Sequence, residues 1–183
     1  MLQSAAPPPE PARAWTGQPI VLVGLMGVGK STVGRRLAAR LRLPFTDADH
    51  EIEVAAAMTI SEIFEKYGEG YFRDGERRVI ARLMDGAPKV IATGGGAFIN
   101  EETRALMLRD ALVIWLDADT EVLADRVRRR DTRPLLRGRD PRDVLRELAA
   151  KRNPVYAEAH LRVSSQAAPH EATVRAILQA IGR

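Results

Sequence analysis

Residues 19–33 read Pro19-Ile20-Val21-Leu22-Val23-Gly24-Leu25-Met26-Gly27-Val28-Gly29-Lys30-Ser31-Thr32-Val33. The apolar, β-branched run over 20–23 predicts a short strand buried on both faces, as in a parallel sheet. Beyond the glycines, Val33, Leu37 and Leu41 recur every four residues, the stripe of an amphipathic helix that stops before Pro44. Between the two, residues 24–31 satisfy G-x-x-x-x-G-K-[ST] in full, in the strand–loop–helix context that the motif requires. Chance yields such a match roughly 0.01 times in a chain of this length. Glycine at 24 and 29 lets backbone amides turn toward an anion, and the helix N-terminus adds positive potential. Lys30 is placed to reach the β- and γ-phosphates of a nucleoside triphosphate, and the Ser31 hydroxyl to ligate Mg²⁺. The expected nucleotide contacts in this loop are Gly27, Val28, Gly29, Lys30, Ser31 and Thr32.

Working outward, strand and helix patterns alternate. Further strands are expected at Phe45 to Asp47, Lys89 to Ala92, Ala111 to Leu116 and near Leu161 to Val163. Helices are expected at about His50 to Met58, Ser61 to Tyr67, Gly70 to Met84, Thr120 to Arg130, Pro141 to Tyr156 and Glu171 to Ile181. This order implies an α/β fold in three layers, a five-stranded parallel sheet flanked by helices. The 183 residues suit one domain, placed at 18–183. Residues 1–17, rich in Ala and Pro and without a period, read as a disordered extension.

No cysteine is present, which excludes disulfides, thiolate nucleophiles and sulfur-held metals and suits a reducing compartment. No apolar run approaches the length of a bilayer span, and the N-terminal stretch does not read as a secretory signal. The expectation is a cytoplasmic protein with no membrane partner, leaning toward a monomer. The formal charge of +4 fits an anionic ligand. Eight arginines, at 126, 128, 129, 130, 133, 137, 139 and 142, crowd the stretch 126–142. Such density suits RNA, but Gly138 and two prolines among them suit a mobile lid over phosphates. Only 5% of the chain is aromatic, so stacking on bases has little support and no nucleic-acid partner is expected.

Several blocks resemble the shikimate kinase family from about Ile20 onward. They are residues 24–35, Asp47-Ala48-Asp49 with Ile52-Glu53, residues 60–64, and Gly68-Glu69 with Phe72-Arg73 and Glu76. Gly94-Gly95-Gly96-Ala97, Arg133-Pro134-Leu135-Leu136, and Arg152 with Pro154 and Tyr156 follow in the family's order. The resemblance implies ATP-dependent phosphorylation of the 3-hydroxyl of shikimate, with Mg²⁺. It implies that Asp47 lies near the metal through water and that Asp49 binds the acceptor hydroxyls and takes the proton. Both aspartates are expected to leave the end of one strand on the same side, while helix capping is the ordinary alternative for either. Arg73 and Arg152 are implied as a clamp on the acceptor carboxylate, with Gly95 and Gly96 beside the acceptor. Arg126 is implied on the adenine and Arg133 as the lid arginine on the phosphates, a third catalytic group with Lys30 and Asp49. On the residues alone, Arg73 and Arg152 could each be a surface cation paired with a carboxylate such as Glu76 or Glu158. A kinase of gluconate or of a nucleoside monophosphate, and a nucleotide- or RNA-binding module without turnover, are the other readings of the same features. The resemblance implies that the loop 164–169 borders the adenine, but there the sequence matches the family poorly.

Overall fold

A computed structural model describes residues 14–128, 138–165 and 169–183. Its centre is strand β1 (Ile20–Val23), whose four residues are all buried. Parallel neighbours flank it on both edges, β3 (Val90–Ala92) on one and β4 (Leu112–Asp117) on the other. Apolar side chains on both faces of β1 are what such a position demands. Outside β3 lies β2 (Phe45–Asp47) and outside β4 lies β5 (Leu161–Ser164), giving the order β2-β3-β1-β4-β5 with every pairing parallel. The edge strand β5 alternates buried and exposed residues, as one covered face requires. All five expected strands are present, and the α/β sheet of the sequence reading is the one observed.

The chain leaves β1 toward β2 and β3 and later crosses to β4 on the opposite side. β1 is therefore a switch point, and a crevice opens at the carboxyl ends of the strands beside it. Helix α1 (Lys30–Leu41) starts in that crevice and lies against β1 and β3. Its Gly34 has no side chain because a Cβ there would stand 2.6 Å from the Phe45 ring. Helix α2 (Ala48–Ala56) packs on α3 (Ile60–Leu83). The two helices expected at 61–67 and 70–84 are the halves of α3, separated by a break at Gly68 with φ 82° and ψ 175°.

Helix α4 (Glu101–Asp110) has no counterpart in the sequence reading. Only Thr103 and Met107 of it are buried, so its apolar stripe is too narrow to be read as a period. Helices α5 (Thr120–Arg128) and α6 (Pro141–Tyr156) pack on each other, and α7 (His170–Ala180) packs on α1. The part of the expected lid at 129–137, with Arg133, lies outside the described residues.

Trp15, assigned by sequence to the extension, is partly buried against the core. Its indole N–H donates to Gln18 O at 2.7 Å, its backbone N–H to Ile181 O at 3.3 Å, and Arg183 lies over its ring. A single large aromatic with a partner for its N–H is enough to dock a segment that has no period to read. Among the described residues no helix is long and apolar enough to cross a membrane.

Candidate active site

The phosphate loop takes the conformation its glycines allow. Gly24 has φ 142°, and a Cβ on it would stand 2.5 Å from the backbone oxygen of Leu116. Gly29, at φ 95°, precedes α1 without any side-chain cap, so the first amides of the helix are left for a ligand. Lys30 Nζ donates to Gly24 O at 2.7 Å and to Leu25 O at 2.9 Å, folded over the loop it belongs to. A cavity of about 290 Å³ opens here, lined by Gly27, Gly29, Lys30, Ser31 and Thr32 from the loop and by Asp47, Asp49, Arg126 and His170 from elsewhere.

Asp47 and Asp49 both reach this cavity, but not from one strand. Asp47 ends β2 and caps α2, its Oδ1 accepting from the Asp49 amide at 3.1 Å, whereas Asp49 stands in the first turn of α2. The expectation that both leave a strand on the same side is corrected, because α2 begins at Ala48, directly after the strand and two residues earlier than expected. Asp47 does two things at once: its other oxygen, Oδ2, accepts from Ser31 Oγ at 2.6 Å. The capping alternative and the place beside Ser31, the expected metal ligand, thus coexist on one side chain.

A second cavity, of about 420 Å³, adjoins the first and shares Asp49, Gly94 and Gly95 with it. Its walls include Arg73 and Glu76 of α3, Arg152 of α6, the rings of Phe64 and Phe72, and Gly96. The glycine triplet following β3 is the floor on which these groups converge. A Cβ at Gly96 would stand 2.5 Å from Arg73 Nη1, one at Gly95 3.3 Å from Arg152 Nη1, and one at Gly94 2.9 Å from Asp49 Oδ1 and 3.1 Å from Glu76 Oε1. Four charged side chains from three helices therefore meet three residues that carry no side chains of their own.

Arg73 is held. Its Nη1 donates to Glu76 Oε2 at 2.7 Å, a longer contact of 3.4 Å runs to Glu69, and its guanidinium lies 5.0 Å over Phe72. The carboxylate partner considered from sequence is real, and it sits inside the pocket rather than on the surface. Glu76 is only 4% exposed, and its Oε1 has no hydrogen-bond partner among the described residues. Burial pushes its carboxyl above the ordinary glutamate range, against the attraction of Arg73. Tyr156 is buried below Arg152 and donates its hydroxyl to Gly95 O. Burial pushes that phenol up to about 12, with the Arg152 guanidinium pulling the other way. The sequence reading gave Glu76 no place in the site and Tyr156 no role, since burial of a polar group leaves no mark in spacing.

On the nucleotide side, Arg126 lines the first cavity with Nη1 at 3.5 Å from Gly27 O and 3.4 Å from Val28 O. His170, also unread from sequence, lies against Gly29, where a Cβ would stand 2.6 Å from its ring Cε1. Arg133 lies outside the described residues.

A phosphate loop at the switch point of a five-stranded parallel sheet, facing an arginine-bearing pocket, places the chain among the P-loop kinases of small molecules. The family model for shikimate kinase matches residues 26–182. The shikimate kinase of Caulobacter vibrioides is 62% identical over 93% of this chain and 84% of its own length. That of Bradyrhizobium diazoefficiens is 56% identical over 97% of this chain and 86% of its own length. Among solved structures, shikimate kinase from Acinetobacter baumannii in complex with shikimate superposes with a TM-score of 0.86 at 40% identity, covering 91% of this chain and 93% of that one. The chain belongs to the shikimate kinase family.

Proposed function

We propose that the protein transfers the γ-phosphoryl group of ATP to the 3-hydroxyl of shikimate, giving shikimate 3-phosphate and ADP. The observation that carries this reading is the join between the two cavities. One is lined by phosphate-loop amides and Lys30, the other by two guanidinium groups, and Asp49 borders both. An acceptor whose carboxylate meets Arg73 and Arg152 puts its hydroxyls toward Asp49, in line with a phosphate on the loop. Planar guanidinium groups suit a carboxylate better than ammonium does.

Phosphoryl transfer of this kind asks the protein mainly for positioning and charge neutralisation. Amides over 27–32 bind the β-phosphate and Lys30 moves from its carbonyl partners to the β- and γ-phosphates. Asp49 accepts the proton of the attacking hydroxyl as the new P–O bond forms and the bond to ADP breaks. The Gly95 and Gly96 backbone borders the acceptor, Arg126 flanks the adenine, and Arg133 meets the phosphates. The donor set suits Mg²⁺: among the described residues no cluster of three or more His, Cys, Asp or Glu could cage a metal. Mg²⁺ characteristically keeps its waters and takes one or two protein oxygens beside substrate phosphates. Ser31 Oγ would ligate it and Asp47 would hold its water. When bound, it neutralises charge on the phosphate oxygens. The reading includes a cytoplasmic monomer, in keeping with the sequence expectation.

The test is ADP release with shikimate, gluconate and nucleoside monophosphates as acceptors. Shikimate is expected to exceed the others in kcat/KM by orders of magnitude. No shikimate-dependent turnover, or equal turnover with gluconate, would overturn the reading.

A further inference from the structure

Ser165 immediately follows β5, in the loop where the resemblance to the family is weakest, and it is 0% exposed. Its backbone N–H donates to Asp117 O at 2.6 Å, which ties it to the end of β4. Its hydroxyl donates to Val28 O at 3.1 Å, across 137 residues of chain. Val28 is the residue between the last two glycines of the phosphate loop. A peptide unit is planar and trans, so the C=O of Val28 and the N–H of Gly29 point in opposite directions. Fixing the carbonyl toward the buried Ser165 turns the next amide away from it. Gly29 lines the phosphate cavity and Ser165 does not.

We propose that Ser165 is a positioning residue of the nucleotide site. Its hydroxyl sets the Val28–Gly29 peptide so that the Gly29 amide faces the phosphates before any nucleotide arrives. Gly29 has φ 95° and lacks a Cβ, so its flanking peptides have more freedom than those of any other residue type. A loop built on such positions gains by having its orientation fixed from outside. Two other groups act on the same peptide. Arg126 Nη1 approaches Val28 O at 3.4 Å, and the His170 ring lies against Gly29. Of the two donors to Val28 O, only Ser165 is fully buried and anchored to the sheet. The serine thus couples β4 and the edge strand β5 to the geometry of a loop that β1 carries.

The inference rests on the loop binding nucleotide, and the experiment separates the two. ATP and ADP affinities are measured by calorimetry for the full chain and for Ser165→Ala, Ser165→Thr and Ser165→Cys, with melting temperatures and steady-state constants for both substrates. Loss of one buried hydrogen bond to the loop is expected to weaken ATP binding about fivefold to tenfold in Ser165→Ala. The KM for ATP should rise by the same factor with kcat held within about twofold, because the amide grips ground state and transition state alike. The KM for shikimate should stay within about twofold. Ser165→Thr, which keeps the hydroxyl, is expected to restore ATP affinity, and Ser165→Cys, a weaker donor, to fall between. In an amide spectrum, the shift of the Gly29 resonance on adding ADP should shrink in Ser165→Ala, a readout that lost packing alone would not move. Equal ATP affinity in wild type and Ser165→Ala would overturn the inference while leaving the function intact. So would a parallel fall in both substrate affinities together with the melting temperature. If Ser165→Ala fails to fold, wild-type ATP affinity in Ser165→Cys overturns it equally. A wild-type chain that binds no nucleotide would instead remove the functional reading.

Discussion

The two cavities that meet at Asp49 are built in opposite ways. The phosphate side is made of consecutive backbone, residues 24–32, whose glycines and helix start present amides to an anion. The acceptor side is made of side chains brought from α2, α3 and α6 onto the glycine triplet, and those side chains hold one another. Arg73 is already ion-paired to a buried glutamate, and Tyr156 is already bonded to Gly95 O. A site of backbone amides needs little else to stay in shape. A pocket of long charged side chains needs a set of partners, because each has rotamer freedom to lose. Substitutions should therefore act on one side without reaching the other, except at the aspartate they share.

The largest effect is expected there. Asp49→Asn keeps the size of the side chain and removes the base, so kcat should fall at least about a hundredfold with the fold retained. Unchanged turnover would take Asp49 out of the chemistry and break the idea of a shared centre.

Next comes Gly96→Ala. The backbone at Gly96 has φ −97° and ψ −12°, which alanine adopts freely, so the only obstacle is the collision with the tip of Arg73. The guanidinium should move aside at small cost to stability, and the KM for shikimate should rise about tenfold, since small misplacements of positioning groups are costly. ATP affinity should be unchanged. A fall in ATP affinity would mean that the two sides are coupled through the triplet.

The smallest effect, and the sharpest, concerns Glu76→Gln. The folded-state pKa of Glu76 is raised above its ordinary value of 4.5, with burial as the leading cause. Its stabilising contribution is thus present below the unfolded value and lost as pH rises through the folded one, so at neutral pH its charge burdens the fold. Glu76→Gln should raise the melting temperature at pH 7, a gain that shrinks toward pH 4.5. The same change should loosen Arg73 and raise the KM for shikimate about threefold. A lowered melting temperature at pH 7 would show that the ion pair with Arg73 outweighs burial.

The legibility of the molecule follows the same division. The strands over 20–23 and 112–117 and the loop between β1 and α1 are local patterns, and each could be read from a few neighbouring residues. Helix α4 was missed because Thr103 and Met107 alone face the core, and Trp15 because a docked aromatic in a Pro-rich segment has no period. Within the site, Asp49, Arg73 and Arg152 were legible through family blocks, and the structure brings all three to one pocket. Glu76 stood in one of those blocks, yet only its burial among like and unlike charges marks it as part of the site. The contacts of His170 and Ser165 with the phosphate loop could not be read, since each reaches it from more than 130 residues away.

By itself the sequence determined that a triphosphate-binding loop follows a central buried strand, because that arrangement is written in consecutive residues and needs only local backbone geometry. Tertiary structure decided what stands opposite it. Which guanidinium meets which glycine, which carboxylate is buried, and which hydroxyl fixes the loop from behind all depend on how the helices pack around the sheet. Those are distances between residues far apart in the chain, and no spacing along it encodes them.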